Sequence, residues 1–197
     1  RLGIPLRALP ARIEVIDRER ILQSGRGNLV DVLRKEANLQ VRSTSGNSAR
    51  SEVSIGGFGE NASQRTLVLL DGHRINANDL SQVNWYSIPL YLVDSIEVIR
   101  GGQSAAYGNH AVGGVIKINT IRPSIEPAGS VEVSGGSFDS FQGRAALSQW
   151  VGGVGFTLHG ERSESNGFRQ NGDHETTAGG LRLDWGKGDT WKAYLSW

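Results

Sequence analysis

The last third of the chain limits its fold more than any other feature, because apolar residues recur there at every second position. Val154, Phe156 and Leu158 alternate with Thr157, His159 and Glu161. Leu181, Leu183 and Trp185 alternate with Arg182 and Asp184, and Trp191, Ala193, Leu195 and Trp197 with Lys192, Tyr194 and Ser196. A period of two belongs to strands, which turn successive side chains to opposite faces. "SVEVSG" alternates less cleanly, and "RAALSQWV" leaves its phase ambiguous. Segments of about ten residues, apolar on one face and charged on the other, mark a transmembrane barrel with a polar lumen. Two-sheet sandwiches alternate as well, so alternation leaves both architectures open. The connections favour the barrel. Gly152-Gly153 and "GKGD" (186–189) are short, whereas "SESNGFRQNGDHE" (163–175) is long and polar. Short and long ends alternate in this way when turns face the periplasm and loops face outside. Trp150, Trp185 and Trp191, near strand ends, point to membrane girdles. In this phase Leu181, Leu183, Trp185, Trp191, Ala193 and Leu195 face lipid, and Arg182, Asp184 and Lys192 face the lumen. Leu183→Arg is then expected to harm folding into membranes more than Arg182→Leu.

The first part reads differently. "ARIEVID" (11–17) is a short strand, and "RERILQSG" is a brief helix ended by Gly25. Asn28 is placed to cap "LVDVLRKEA", where Leu29, Val32 and Leu33 share a face. "NLQVRS" and "SEVSIGG" are strands around a polar loop. "RTLVLLDG" is a continuous apolar run of strand length, as in strands buried on both faces. Its Asp71-Gly72 pair signals a two-residue hairpin returning through "HRIN". "IPLYLVDSIEVIRGG" carries a short apolar turn into a strand, and "QSAAYGNHAVGG" links it to "VIKINT". The first 122 residues thus form an α/β domain, 123–128 a linker within the proline-bearing "RPSIEPAG" (122–129), and 129–197 an array of about five strands.

Several function classes drop out on composition. The formal net charge is +1 and the basic residues, 17 Arg among 21, are scattered; nucleic-acid binding needs them concentrated. With no Cys there are no disulfides, thiolate nucleophiles or Cys-ligated zinc. His73, His110, His159 and His174 share no metal-ligand spacing, and no nucleophile stands beside a base motif. The chain is therefore read as no enzyme, with no cofactor and no metal. Gly101, Gly102 and Gly108 open no GxGxxG unit, which argues against a nucleotide cradle, and no GK[ST] follows, which excludes a P-loop. Those glycines are read as turning and close-approach residues. No apolar run approaches the roughly 18 residues of a membrane helix, so any membrane crossing is made with strands. The absence of Met, including at residue 1, is expected of a fragment or a processed chain.

Three stretches carry a resemblance. "LPARIEVIDRERILQSG…NLVDVLRKEANLQV", "SIGGFGENASQRTLVLLDGHRIN" and "IPLYLVDSIEVIRGGQSAAYGNHAVGGVIKINT" are together similar to the opening of TonB-dependent outer-membrane receptors. The last of them resembles that family's long, ordered IEVIRGPxSALYGxxAxGGVINIxT signature. The resemblance implies an N-terminal α/β plug domain followed by the first antiparallel strands of a 22-stranded transmembrane β-barrel with a plugged lumen, in the bacterial outer membrane. Some 75 residues after 122 are too few to close such a barrel, so a longer protein is expected. Gly56 stands where the family usually has Arg, Gly102 where it usually has Pro, and no TonB coupling box precedes Leu2.

By the same resemblance the function is TonB-dependent import of a scarce ligand, a ferric siderophore or cobalamin, with TonB and outer-membrane lipid as partners. A receptor used mainly for signalling and a cobalamin-specific importer are the alternatives, the latter hinted at by "NDLSQVNWYSIPL". The plug's outward loops imply ligand contacts at Ser45, Gly46, Asn47, Ser48, Asn76, Asn78, Asp79, Trp85 and Tyr86. Arg100 is the expected plug–barrel latch, paired with a barrel carboxylate beyond Trp197, since Gly56 offers no such pair.

Overall fold

The computed structural model describes residues 12–25, 27–43, 51–58, 61–77, 82–166, 173–185 and 191–196. The chain divides into two compact units, Arg1–Ile121 and Arg122–Trp197.

The first unit is built on five strands: β1 (Arg12–Asp17), β4 (Thr66–Leu70), β5 (His73–Arg74), β6 (Val93–Arg100) and β7 (Gly114–Thr120). Their order is β1-β6-β7-β4-β5, with β4 and β7 parallel and the other neighbours antiparallel. β2 (Gln40–Ser43) and β3 (Ser51–Ser54) form a separate hairpin. Helices α1 (Arg18–Gln23) and α2 (Leu29–Glu36) lie between β1 and β2. Both start where the sequence says. The Asp17 carboxylate accepts from the Arg20 N–H, and the Asn28 side chain accepts from the Asp31 N–H, each at 2.9 Å. Such caps satisfy donors that the first turn leaves orphaned. Gly25 ends the first helical segment at φ +63°.

One face of the sheet carries the main core. Ile16, Val68, Ile96, Val98, Ile116 and Ile118 meet Ile21, Leu29 and Leu33 of the helices, and Trp85, Ile88 and Leu90. Each fully buried aliphatic side chain there contributes about 1.5–3 kcal/mol. Leu67, Leu69, Ile99, Ala111 and Val115 make a smaller cluster on the other face with Ile13 and Tyr107. Thr66 to Leu69 are all buried, as a strand covered on both faces must be. The Asp71-Gly72 turn closes β4 onto β5 with φ +48° and +89°, the two positive values a type I′ turn requires.

The linker between β6 and β7 contains one turn of helix, α3 (Ser104–Tyr107). At its end the backbone crowds. A Cβ on Gly113 would lie 2.6 Å from the Ile55 carbonyl oxygen and 3.0 Å from that of Arg65. Only glycine fits this seam.

The second unit is a meander of β8 (Ala128–Gly136), β9 (Ser140–Val151), β10 (Val154–Ser165), β11 (His174–Trp185) and β12 (Trp191–Ser196). Each strand pairs antiparallel with its neighbour in sequence. Register fixes the faces. Val131 stands opposite Ala145, Leu147 opposite Leu158, and Leu158 opposite Leu181, while Val154 joins Val151 to Trp185. The other face aligns Glu132 with Arg144, Ser148 with Thr157, and Thr157 with Arg182. Val131, Val133, Phe141, Leu147, Val151, Val154, Leu158 and Trp185 are exposed, whereas Thr157, Arg182 and Asp184 are buried. The register of β12 sets Trp191, Ala193 and Leu195 opposite Trp185, Leu183 and Leu181.

Two expectations need correction here. β9 settles its phase with Trp150 on the polar face: opposite Gly155, its indole fills the space that glycine leaves, beside Pro123. Trp150 is therefore not a girdle residue, whereas Trp185 points outward. Arg182 and Asp184, two residues apart on β11, form a buried bidentate pair, Nε to Oδ2 at 2.7 Å and Nη2 to Oδ1 at 3.0 Å. Removing Arg182 would strand a buried carboxylate, so the pair revises the expectation: Arg182→Leu is now expected to be at least as harmful as Leu183→Arg.

Candidate functional site

The two loops expected to meet a ligand are anchored at one place. β2 and β3 bracket residues 44–50, and Trp85 follows the second loop. The Trp85 indole N–H donates to the Ser51 carbonyl at 2.7 Å. Its side chain is only 4% exposed. The far ends of both loops are thus pinned together, across 34 residues of sequence. The near end of the second loop is fixed by Asn76. Its Oδ1 accepts from the Val68 N–H at 2.7 Å, and its Nδ2 donates to the carbonyls of Thr66 and Ser63 at 3.0 and 3.2 Å.

These bonds correct two site expectations. Trp85 is not an exposed stacking surface, and both polar atoms of the buried Asn76 side chain are already bonded within the domain. Both are anchors that position the loops. Ser45, Gly46, Asn47, Ser48, Asn78 and Asp79 lie outside the described residues, as does the Tyr86 side chain.

Arg100 is engaged within the first unit. Its guanidinium donates to the Glu14 carboxylate at 3.2 Å and to the Ala37 carbonyl, joining β6 to β1 and to the end of α2. Glu14 thus gives Arg100 a carboxylate partner within the same unit. Carboxylates on the polar face of the second unit are likewise engaged close by: Glu132 by Arg144, Glu161 by Gln142 at 2.7 Å, and Asp184 by Arg182. Gly56 sits at φ +84° beside Phe58, whose ring lies under the Arg65 guanidinium.

Sequence reasoning missed the clasp at the foot of the sheet. Both Asp71 oxygens hold Thr120, accepting from its N–H at 2.9 Å and its hydroxyl at 2.6 Å. The signal was present, in a carboxylate at the first position of a DG turn, but its partner lies 49 residues away. Next to the same hairpin, Arg74 donates to the Asn109 carbonyl at 2.6 Å. Burial, then the nearby Arg74 charge, lowers the His110 pKa below the usual histidine value.

An α/β domain followed in sequence by a two-faced antiparallel wall is the arrangement of a receptor of the plugged-barrel class. The comparisons agree. The family model described as "TonB-dependent Receptor Plug Domain" matches residues 5–115. This chain belongs to the TonB-dependent receptor family. The vitamin B12 transporter BtuB of Photobacterium profundum is 32% identical over 152 residues, 77% of this chain and 24% of that protein. BtuB of Vibrio vulnificus is 32% identical over 167 residues, 83% of this chain and 27% of its own length. Among solved structures, the siderophore receptor PirA from Pseudomonas aeruginosa superposes with a TM-score of 0.67 at 26% identity, over 93% of this chain and 33% of that one. The pyoverdine receptor FpvA from the same organism reaches 0.78 at 19% identity, over 98% and 28%, a likeness of fold alone. The chain spans about a quarter of the length of the curated relatives it matches. Membership of this family places the chain in the bacterial outer membrane.

Proposed function

We propose that the chain is the plug and first wall strands of an importer that takes up a scarce ligand under force from TonB. The observation that carries this reading is the inversion of polarity within one chain. A domain with an apolar core and anchored loops is followed directly by strands that turn charge to one face and apolar side chains to the other. Such a pairing suits a gate and its conduit. No covalent step is needed: binding outside and rearrangement of the plug suffice.

The ligand class is cobalamin or a ferric siderophore. Transporters of vitamin B12 among the relatives favour the cobalamin-specific reading. The candidate contacts are Ser45, Gly46, Asn47, Ser48, Asn78, Asp79 and Tyr86, whose loops spring from the Ser51–Trp85 and Asn76 anchors. Small hydroxyl and amide groups suit a polar ligand that is oriented by a few hydrogen bonds. Arg100 acts in this reading by keeping β1 on the sheet.

The test is binding and uptake by the full-length receptor. Cyanocobalamin and a ferric chelate are offered separately to reconstituted protein and to cells with and without TonB. Saturable binding of one ligand, weakened by Asn47→Ala with Asn78→Ala, and uptake lost without TonB are expected. Uptake indifferent to TonB would overturn the proposal.

A further inference from the structure

The turn joining β8 to β9 breaks a local rule. The Ser140 N–H bonds to the Ser137 carbonyl, and the two residues between them, Phe138 and Asp139, have φ +62° and +49°. Two positive values call for Asn-Gly or a similar pair. A bulky aromatic in the left-handed region is a true outlier, and outliers held in place elsewhere in a structure point to use. This one is held. The Asn166 N–H donates to the Phe138 carbonyl at 3.0 Å, and the Asn166 side chain donates to the Asp139 carboxylate at 2.9 Å. Phe138 is nevertheless 56% exposed.

Its surroundings say what it meets. Phe141, three residues on, lies on the outward face, and its ring leans to within 3.4 Å of where a side chain on Gly143 would begin. Gly143 stands opposite Val133, so the outward column of β8–β9 runs apolar from Leu147 and Val131 up to Phe141. The register step from Val151 to Phe141 is ten residues. At about 3.4 Å per residue and a tilt of about 40°, that is roughly 26 Å of height, close to the approximately 25 Å apolar band of a membrane barrel. Phe141 thus closes the band at the end opposite Trp185. The first outward charges appear at the same level, where Arg162 pairs with Glu175 at 2.8 Å. A boundary that mixes rings and ion pairs is the chemistry of a lipid–water interface.

We infer that the β8–β9 turn is a lipid-interface anchor, with Phe138 held in a strained conformation by Asn166 so that its ring enters the polar–apolar boundary of the bilayer. The inference rests on the membrane-wall reading of these strands. The two are separable by experiment.

These 197 residues contain no cysteine, so Val133→Cys, Phe138→Cys and Asp173→Cys can each carry a nitroxide label in the complete receptor, with any cysteine elsewhere in it replaced by Ser, reconstituted in bilayers. Collision with oxygen, enriched in lipid, is compared with collision with a water-soluble nickel chelate. The expected result is a several-fold preference for oxygen at 133, a smaller preference at 138, and the reverse at 173. A label at 138 that matches 173 while 133 still favours oxygen overturns the anchor and leaves the wall intact. Aqueous behaviour at 133 removes both. The second measurement is insertion rate. Phe138→Gly suits the turn backbone better, yet it should insert several-fold more slowly, while Phe138→Trp keeps the wild-type rate. A glycine variant that inserts as fast as wild type or faster assigns the residue to turn formation only and defeats the inference.

Discussion

The two units of this chain are built inside out with respect to each other. Every buried hydrophobic side chain among the described residues lies in the first unit, from Ile16 to Ile118. In the second, the buried polar groups are Thr157, Arg182 and Asp184, while Val131, Phe141, Leu147, Leu158 and Trp185 are turned outward. The same forces produce both outcomes. Apolar surface leaves water in each case, into a core in the first unit and toward a bilayer in the second. The lesson is that a period of two reports which faces differ, while the identity of the inner face depends on what surrounds the sheet.

The sharpest test of the inversion is the Arg182–Asp184 pair. Arg182→Leu should cost about 3–5 kcal/mol, because it leaves a buried carboxylate alone. The double change with Asp184→Leu should recover most of that loss. The heat-resistant folded form on gels, or unfolding in urea, reads both. If the single and double variants are equally unstable, the inner face is not a paired polar layer.

On the outward face, Leu183→Arg should cost about 2–4 kcal/mol in bilayers and far less in a detergent that adapts around the charge. Equal loss in both media would argue for a soluble sheet and erase the contrast. In the first unit a comparable penalty needs only a methyl group. Gly113→Ala should cost about 2–3 kcal/mol by overpacking the seam of Ile55, Phe58 and Arg65, seen as a lowered thermal midpoint of the plug.

Smaller effects probe how the first unit is tied. Arg100→Ala should cost about 1–2 kcal/mol, since it removes charge-assisted bonds to Glu14 and Ala37. Hydrogen exchange should quicken in residues 12–17 first. Exchange unchanged in β1 and faster only on the wall strands would restore the latch to the barrel. The least effect belongs to His110. Its pKa is lowered in the fold, so the unfolded chain takes up a proton first on acidification. Stability is therefore full above the ordinary histidine range near 6.5 and declines as pH falls through it. His110→Gln should flatten that part of the profile, measured by urea unfolding between pH 7.5 and about 5.

Much of the fold was legible because its signals are local. Asn28, Gly25 and Asp71-Gly72 act on their own neighbours, and each did so in the structure. The alternation of β10 and β11 likewise needs no partner to be read. The site was less legible because its residues answer to distant ones. Trp85 is polar enough to stack on a ligand and large enough to be core, and only the Ser51 carbonyl decides between them. Arg100 has an available carboxylate 86 residues away, which no spacing rule singles out. Trp150 sits in a strand whose small residues blur the phase, and glycine at 155 makes its inward pocket.

The strand order also sets a timetable for synthesis. In the wall, each strand adds to the one made just before it, so pairing can proceed as the chain lengthens. The first unit works the other way. β7, the last of its strands to be made, lies in the middle of the sheet between β6 and β4, and Thr120 at its end completes the clasp with Asp71. Until residue 120 exists, β4 and β6 have no common neighbour, and the apolar faces of both stay uncovered. Such non-local closure is slow, and it leaves sticky edges open during the delay. Within the first unit, β4 and β6 are thus the strands most dependent on protection until β7 is made.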